Sequence, residues 1–141
     1  MKPAPEKERA VSIWLFILSG LIFVMIVLGG VTRLTHSGLS MVEWRPLFGA
    51  LPPLSEAAWQ QLFQQYQQFP EYQKINFAMT LAEFKRIYLF EYSHRLLGRA
   101  LGAAFALPFI YFLVRRRISW NLAPRLAVMF VLGGFQGVLG W

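Results

Sequence analysis

The sequence predicts an all-α protein, a polytopic membrane helical bundle, and three observations support this fold class. Hydrophobic residues make up 56% of the 141 residues and charged residues 15%, whereas a soluble domain carries about a quarter charged residues. Apolar runs occupy 11–32, 100–114 and 126–141. The net charge of +7 comes largely from Lys and Arg that flank these runs, a pattern typical of contact with membrane lipid and not of nucleic-acid binding.

Residues 11–32 form the first predicted transmembrane helix, after a tail at 1–10. The run is uncharged, and its 22 residues reach about 33 Å, enough to cross a hydrocarbon core of about 30 Å. A cleaved signal peptide is disfavoured, because the run exceeds the usual apolar region and residues 29–33 lack a small-x-small cleavage pattern.

The second predicted transmembrane helix covers 88–114, and as a helix it begins at about residue 81. The run at 100–114 is too short to cross alone, so the polar residues before it must belong to the same helix. Thr80 and Glu83 form a capping-box pattern, in which the hydroxyl and the carboxylate each satisfy an orphaned backbone donor.

The third predicted transmembrane helix covers 126–141 and follows a short loop at 115–125. Its sixteen residues reach only about 24 Å, which is less than the hydrocarbon thickness. We therefore expect this helix to be truncated and the chain to be the N-terminal fragment of a longer protein.

Basic residues predict the orientation of these helices. The segments 1–10 and 115–125 carry seven Lys and Arg residues, which places both on the cytoplasmic side and makes 33–87 an outer, periplasmic loop. Within that loop an amphipathic helix is expected at about 56–69, with Ser55 as its N-cap and a proline directly after its last residue.

Ionisable residues concentrate where the second helix meets the outer membrane surface. Glu91 and His94 are neighbours on one helix face, and His94 lies about 30 Å from the inner end of that helix. Ionisable groups at this depth are expensive and are usually functional.

The same helix face suits haem. His94 is a potential iron ligand, and Gly98 and Gly102 would let a flat ring approach the backbone. Arg95 and Arg99 lie toward one flank, where haem propionates require cations.

Other interpretations of these residues remain open from spacing alone. His94 would serve equally as a polar packing residue, and Glu91 would form an ion pair with Arg95 one turn on. Zinc is disfavoured, because Glu-x-x-His supplies two ligands and the chain has no cysteine. The second histidine, His36, is expected to be a solvated loop residue.

Specific motifs add a resemblance to a known family. In order and from the first membrane helix to the last residue, the chain resembles haem A synthase of the cysteine-lacking proteobacterial and mitochondrial type, N-terminal part only. The matching segments are GGVTRLTHSGLSM (29–41), Pro52-Pro53-Leu54, Trp59, FPEY (69–72), Met79-Thr80, Glu83-Phe84-Lys85, EYSHRLLGR (91–99) and QGVLGW (136–141).

The resemblance implies an eight-helix enzyme of two similar halves in the bacterial cytoplasmic (inner) membrane. It implies an oxidoreductase that converts a porphyrin methyl of haem O to a formyl group, giving haem A for cytochrome c oxidase assembly. Glu91 and His94 would be catalytic, with His94 on the haem iron and with Arg95, Gly98, Arg99 and Gly102 around the ring.

The resemblance also implies cofactors and partners. The ligands of a haem b cofactor are expected in the missing C-terminal half, so this fragment alone is expected to be inactive. An external electron donor, haem O synthase and a second copy of the chain are candidate partners. The alternative function is that of a non-enzymatic membrane b-type haem protein, either an electron carrier or a haem-handling assembly factor.

Overall fold

The computed structural model describes residues 5–42 and 51–140, and every regular element in that part of the chain is an α-helix. Parts of the predicted tail (1–4), the predicted outer loop (43–50) and the third helix (Trp141) lie outside the described residues. The all-α fold class is confirmed, and two segments, Glu8–Leu34 and Leu81–Val114, are long and apolar enough to cross a membrane. The helices are α1 (Pro5–Leu34), α2 (Glu56–Tyr66), α3 (Pro70–Lys74), α4 (Leu81–Val114) and α5 (Ala123–Leu139).

Side-chain caps begin two of these helices. The backbone N–H and the hydroxyl of Thr80 each donate to Glu83 Oε2 at 2.8 Å, and the Glu83 N–H donates to Thr80 Oγ1 at 3.4 Å, so the capping box is formed at the start of α4. Ser55 Oγ accepts the Ala58 N–H at 3.2 Å and caps α2. These bonds satisfy backbone donors that have no partner inside the first helical turn.

Three helix boundaries differ from the sequence-based expectation by three residues or more. α1 begins at Pro5, inside the expected tail, and not at 11, because proline is favoured at the first position of a helix. α2 ends at Tyr66 and not at 69, because Phe69 precedes a proline and adopts an extended backbone, with φ −86° and ψ 148°. Pro70 then starts α3. α5 begins at Ala123 and not at 126, because Pro124 fits the first helical turn, where a missing N–H costs nothing.

α1 ends in a left-handed C-terminal cap. His36 has φ 49°, and the next residue, Ser37, donates its N–H to the Thr32 carbonyl at 3.0 Å. Glycine usually occupies the left-handed position in this motif. Arg116 adopts the same φ of 49° after α4.

The chain divides into two compact units, and the first combines the residues up to Met25 with those from Leu97 onward. In this unit Trp14 Nε1 donates to the Ala104 carbonyl at 2.8 Å. Pro108, inside α4, lacks the N–H that would otherwise reach this carbonyl. The Trp14 indole therefore replaces the missing helical donor. The core residues of this unit are Val11, Trp14, Leu18, Phe109, Phe112 and Leu126.

The second unit, Ile26–Leu96, has an aromatic core where α2 and α3 meet α4. The rings of Tyr66 and Phe84 stack with centroids 5.1 Å apart, and Asn76 Nδ2 donates to the Tyr66 hydroxyl at 2.8 Å. Burial raises the pKa of this hydroxyl above its ordinary value. At the surface Lys85 Nζ lies 2.5 Å from Glu56 Oε1, which joins α4 to α2.

Candidate functional site

Glu91 is a buried carboxylate on α4, with 6% of its surface exposed. Its Oε2 accepts the Ser40 hydroxyl at 2.6 Å and the Met41 N–H at 2.8 Å. Its Oε1 accepts Nε of Arg95 at 3.0 Å and also Nη2 of the same guanidinium. Both carboxylate oxygens are therefore held, and the pairing with Arg95 that the sequence left open is present.

The segment that follows α1 brings Ser40 and Met41 to Glu91. Ser37 and Ser40 are both fully buried, whereas Leu39 between them is exposed and has φ 68°. Sequence reasoning did not single out Ser40 or Met41 as site residues. Their only signal was their place in the segment 29–41 that carries the family resemblance.

His94 is half-buried and lies against α1 within the second unit. A Cβ added to Gly29 would lie 3.1 Å from His94 Nε2 and 3.6 Å from Cδ2. Contacts of 3.1 Å are tighter than nine in ten real Cβ contacts, so the position of the imidazole depends on glycine at residue 29. Gly29 belongs to the segment 29–41 that carries the family resemblance, but the sequence did not predict its contact with His94.

The donor chemistry around His94 fits a haem better than a bare metal ion. An imidazole is a common axial ligand of haem iron, and that of His94 lies close to Gly29 of α1 through Nε2. Among the described residues, no three His, Cys, Asp or Glu side chains come together in a group that could hold a metal ion. The zinc alternative thus gains no support from this part of the chain.

The other predicted cofactor-binding residues have different surroundings. In the first unit a Cβ on Gly102 would meet nothing within 4 Å, whereas one on Gly98 would lie 3.3 Å from Met25 Cε. Gly98 is therefore covered by a side chain of α1, although that side chain is flexible. Arg99, also in the first unit, is half-buried, and the Arg95 guanidinium is engaged with Glu91.

A shallow groove lies beside the end of α1 in the second unit. Its volume is about 350 Å³. His36 is exposed there, as expected for a loop residue, but its backbone belongs to the helix cap. The groove is lined by Thr32, Arg33, His36, Gly38, Leu39 and Glu71.

Comparison with known proteins shows extended similarity to longer relatives. The chain is 55% identical to "Heme A synthase" of Parvibaculum lavamentivorans over 95% of this chain and 39% of that protein. It is 52% identical to "Heme A synthase" of Nitrosospira multiformis, over 95% of this chain and 38% of the relative. The corresponding protein of Caulobacter vibrioides is also 52% identical, over 96% of this chain and 40% of the relative.

The chain thus spans about two fifths of the length of these curated relatives. No solved structure matches it significantly. The profile of one family, described as "Cytochrome oxidase assembly protein", matches residues 12–141. Because this match covers nearly the whole chain, the chain belongs to the cytochrome oxidase assembly protein family.

Proposed function

We propose that this chain is the N-terminal part of a haem A synthase, which oxidises a porphyrin methyl group of haem O to a formyl group. The observation that carries the proposal is the 55% identity to a relative of that name over 95% of the chain. Since only 39% of the relative is covered, the activity belongs to a longer protein, with eight helices in two similar halves. The product serves cytochrome c oxidase assembly.

His94 binds the iron of the haem substrate in this proposal. Its imidazole is half-buried on α4 and lies against Gly29 of α1, and an imidazole is a common axial ligand of haem iron. Holding the iron at one point orients the ring, so that one methyl edge is presented to the reaction. The resident haem b, with its ligands in the C-terminal half, supplies redox chemistry when bound.

Glu91 stabilises positive charge that develops at the oxidised carbon. A carboxylate that accepts four hydrogen bonds from Ser40, Met41 and Arg95 is held in one orientation in a buried place. Both oxygens of the Glu91 carboxylate already accept hydrogen bonds. This arrangement favours electrostatic stabilisation over abstraction of a proton by the same oxygens. We therefore assign Glu91 an electrostatic role.

The remaining predicted residues contribute to the ring environment. Gly102 offers a surface without a covering side chain, and the Met25 side chain that covers Gly98 is flexible enough to move aside. Within the part of the chain that the structure describes, Arg95 donates two of its five N–H groups to Glu91, and in this proposal its guanidinium also binds a propionate. Arg99 is the second cation for the propionates.

The protein lies in the bacterial inner membrane with its N-terminus in the cytoplasm. The basic tail and the arginines of 115–125 support this orientation, which puts the loop at 33–87 outside. Because the chain has no cysteine, a cysteine introduced at exposed Gln64 is expected to react with an impermeant maleimide on intact cells, and one at exposed Asn121 is not. The reverse labelling pattern would refute the orientation.

Product analysis tests the proposed activity. Membranes that contain the complete protein, haem O and an electron donor are expected to accumulate haem A, measured by chromatography of extracted haems. Reversible haem reduction without formation of haem A would refute the enzymatic function and support a membrane b-type electron carrier.

The proposed partners are haem O synthase, as supplier of the substrate, and a second copy of the protein. Co-purification from membranes tests both.

A further inference from the structure

We propose that Ser40 is a positioning residue, which fixes the orientation of the Glu91 carboxylate beside His94. This inference rests on the proposed function, and it adds a residue to that site which neither spacing nor the match to relatives identifies. Ser40 lies 51 positions before Glu91 in the sequence, and its hydroxyl donates to Glu91 Oε2 at 2.6 Å. The contact lies within the second unit.

The two carboxylate oxygens of Glu91 are held from opposite parts of the unit. Arg95, on the same helix, binds Oε1, and the segment after α1 binds Oε2 through the Ser40 hydroxyl and the Met41 N–H. Without the second pair of donors the guanidinium alone would orient the carboxylate. A side chain bound only by its neighbour one turn on has more rotational freedom than one bound from two elements.

Because Ser40 and Glu91 are both buried, the Ser40 hydroxyl is difficult to replace as a hydrogen-bond donor to the carboxylate. Ser40 is 1% exposed and Glu91 is 6% exposed, so water does not readily replace a deleted hydroxyl. A hydrogen bond from a hydroxyl to a buried carboxylate is charge-assisted and among the strong ones in proteins. Its loss changes the orientation of the carboxylate that lies one helical turn before His94 on α4.

Ser37 provides a matched control in the same segment. It is 0% exposed, and its Oγ lies 2.5 Å from Thr35 Oγ1, with no bond to Glu91. Ser37→Ala therefore removes the same atom from an equally buried serine while it leaves the carboxylate untouched. Ser40→Cys is a second test variant, because it fills the space of the hydroxyl but donates only weakly.

The experiment measures kcat and KM for conversion of haem O by the complete protein, with each variant normalised to protein content. We expect Ser40→Ala and Ser40→Cys to lower kcat by about tenfold or more with little change in KM, since the deleted bond acts on the reacting geometry and not on haem affinity. Ser37→Ala is expected to keep kcat within about twofold. In a Glu91→Gln background, Ser40→Ala is expected to have no further effect.

The outcomes separate the two proposals. A wild-type protein that does not convert haem O contradicts the proposed function itself. If the wild type is active, two results would show that Ser40 has only a packing role. One is an equal fall in kcat for Ser40→Ala and Ser37→Ala. The other is a fall in kcat for Ser40→Ala that is as large in the Glu91→Gln background as in the wild type. If Ser40→Ala fails to accumulate, Ser40→Cys decides: wild-type kcat in that variant overturns the proposal, and a selective fall in kcat supports it.

Discussion

Replacing Trp14 by Phe is expected to destabilise the first unit, because it leaves the Ala104 carbonyl without a donor. The indole donates to this carbonyl at 2.8 Å, and Pro108 supplies no helical N–H in its place. A phenyl ring would keep much of the aromatic contact with Phe105 and Phe112, whose centroids lie 5.5 Å from Trp14. The lost hydrogen bond is worth about 1–2 kcal/mol in a membrane helix bundle.

A double-mutant cycle isolates that bond from the change in ring area. In Pro108→Ala the new backbone N–H can reach the Ala104 carbonyl, so Trp14→Phe should then cost about 1 kcal/mol less than in the wild type. The free energy of unfolding would be measured by denaturant titration of the purified protein in mild detergent micelles. Identical costs of Trp14→Phe in the two backgrounds would refute the reasoning that the indole replaces the helical donor.

Three further predictions concern the second unit. Gly29→Ala would place a Cβ about 3.1 Å from His94 Nε2 and should displace the imidazole; unchanged haem absorption and turnover would argue against this contact. His36→Gly should be more stable than His36→Ala by roughly 1 kcal/mol and should have the higher Tm, because glycine adopts the φ of 49° at this position more readily than alanine. Equal Tm values for the two variants would show that the cap is not strained. Burial raises the pKa of Tyr66 in the folded protein. The neutral Tyr66 side chain therefore contributes fully to the free energy of unfolding below the ordinary tyrosine pKa of about 10, and this contribution is lost as the pH rises through the pKa of the folded protein. Tyr66→Phe should therefore lose less stability than the wild type between about pH 9 and 11, and parallel pH profiles would contradict this.

Local sequence signals located the helices well. The uncharged run at 11–32 and the capping box at Thr80 depend on neighbouring residues along the chain, and both lie in helices or at helix ends as described. Boundaries shifted where a proline controls the adjoining backbone, as with the end of α2 at Tyr66. Such shifts arise from local conformational restrictions that hydrophobic periodicity does not report.

The contacts of the candidate site were harder to predict, because they depend on which helix faces meet. Gly98 was expected to receive a flat ring, but Met25 of α1 lies over it. Glu91 was recognised as a candidate, yet its donor Ser40 is 51 residues away. No spacing rule links two residues so far apart in the sequence, so the contact of the Ser40 hydroxyl with Glu91 could be identified only from the tertiary structure.

The central claim is that His94 holds the haem substrate, and haem A content after a single substitution tests it most directly. His94→Ala in the complete protein is expected to abolish nearly all formation of haem A while the protein still inserts and accumulates in the membrane. Extracted haems would be separated by chromatography, with protein quantity determined by immunoblot. Near-normal haem A at equal protein content would contradict the account and reduce His94 to a packing residue against Gly29.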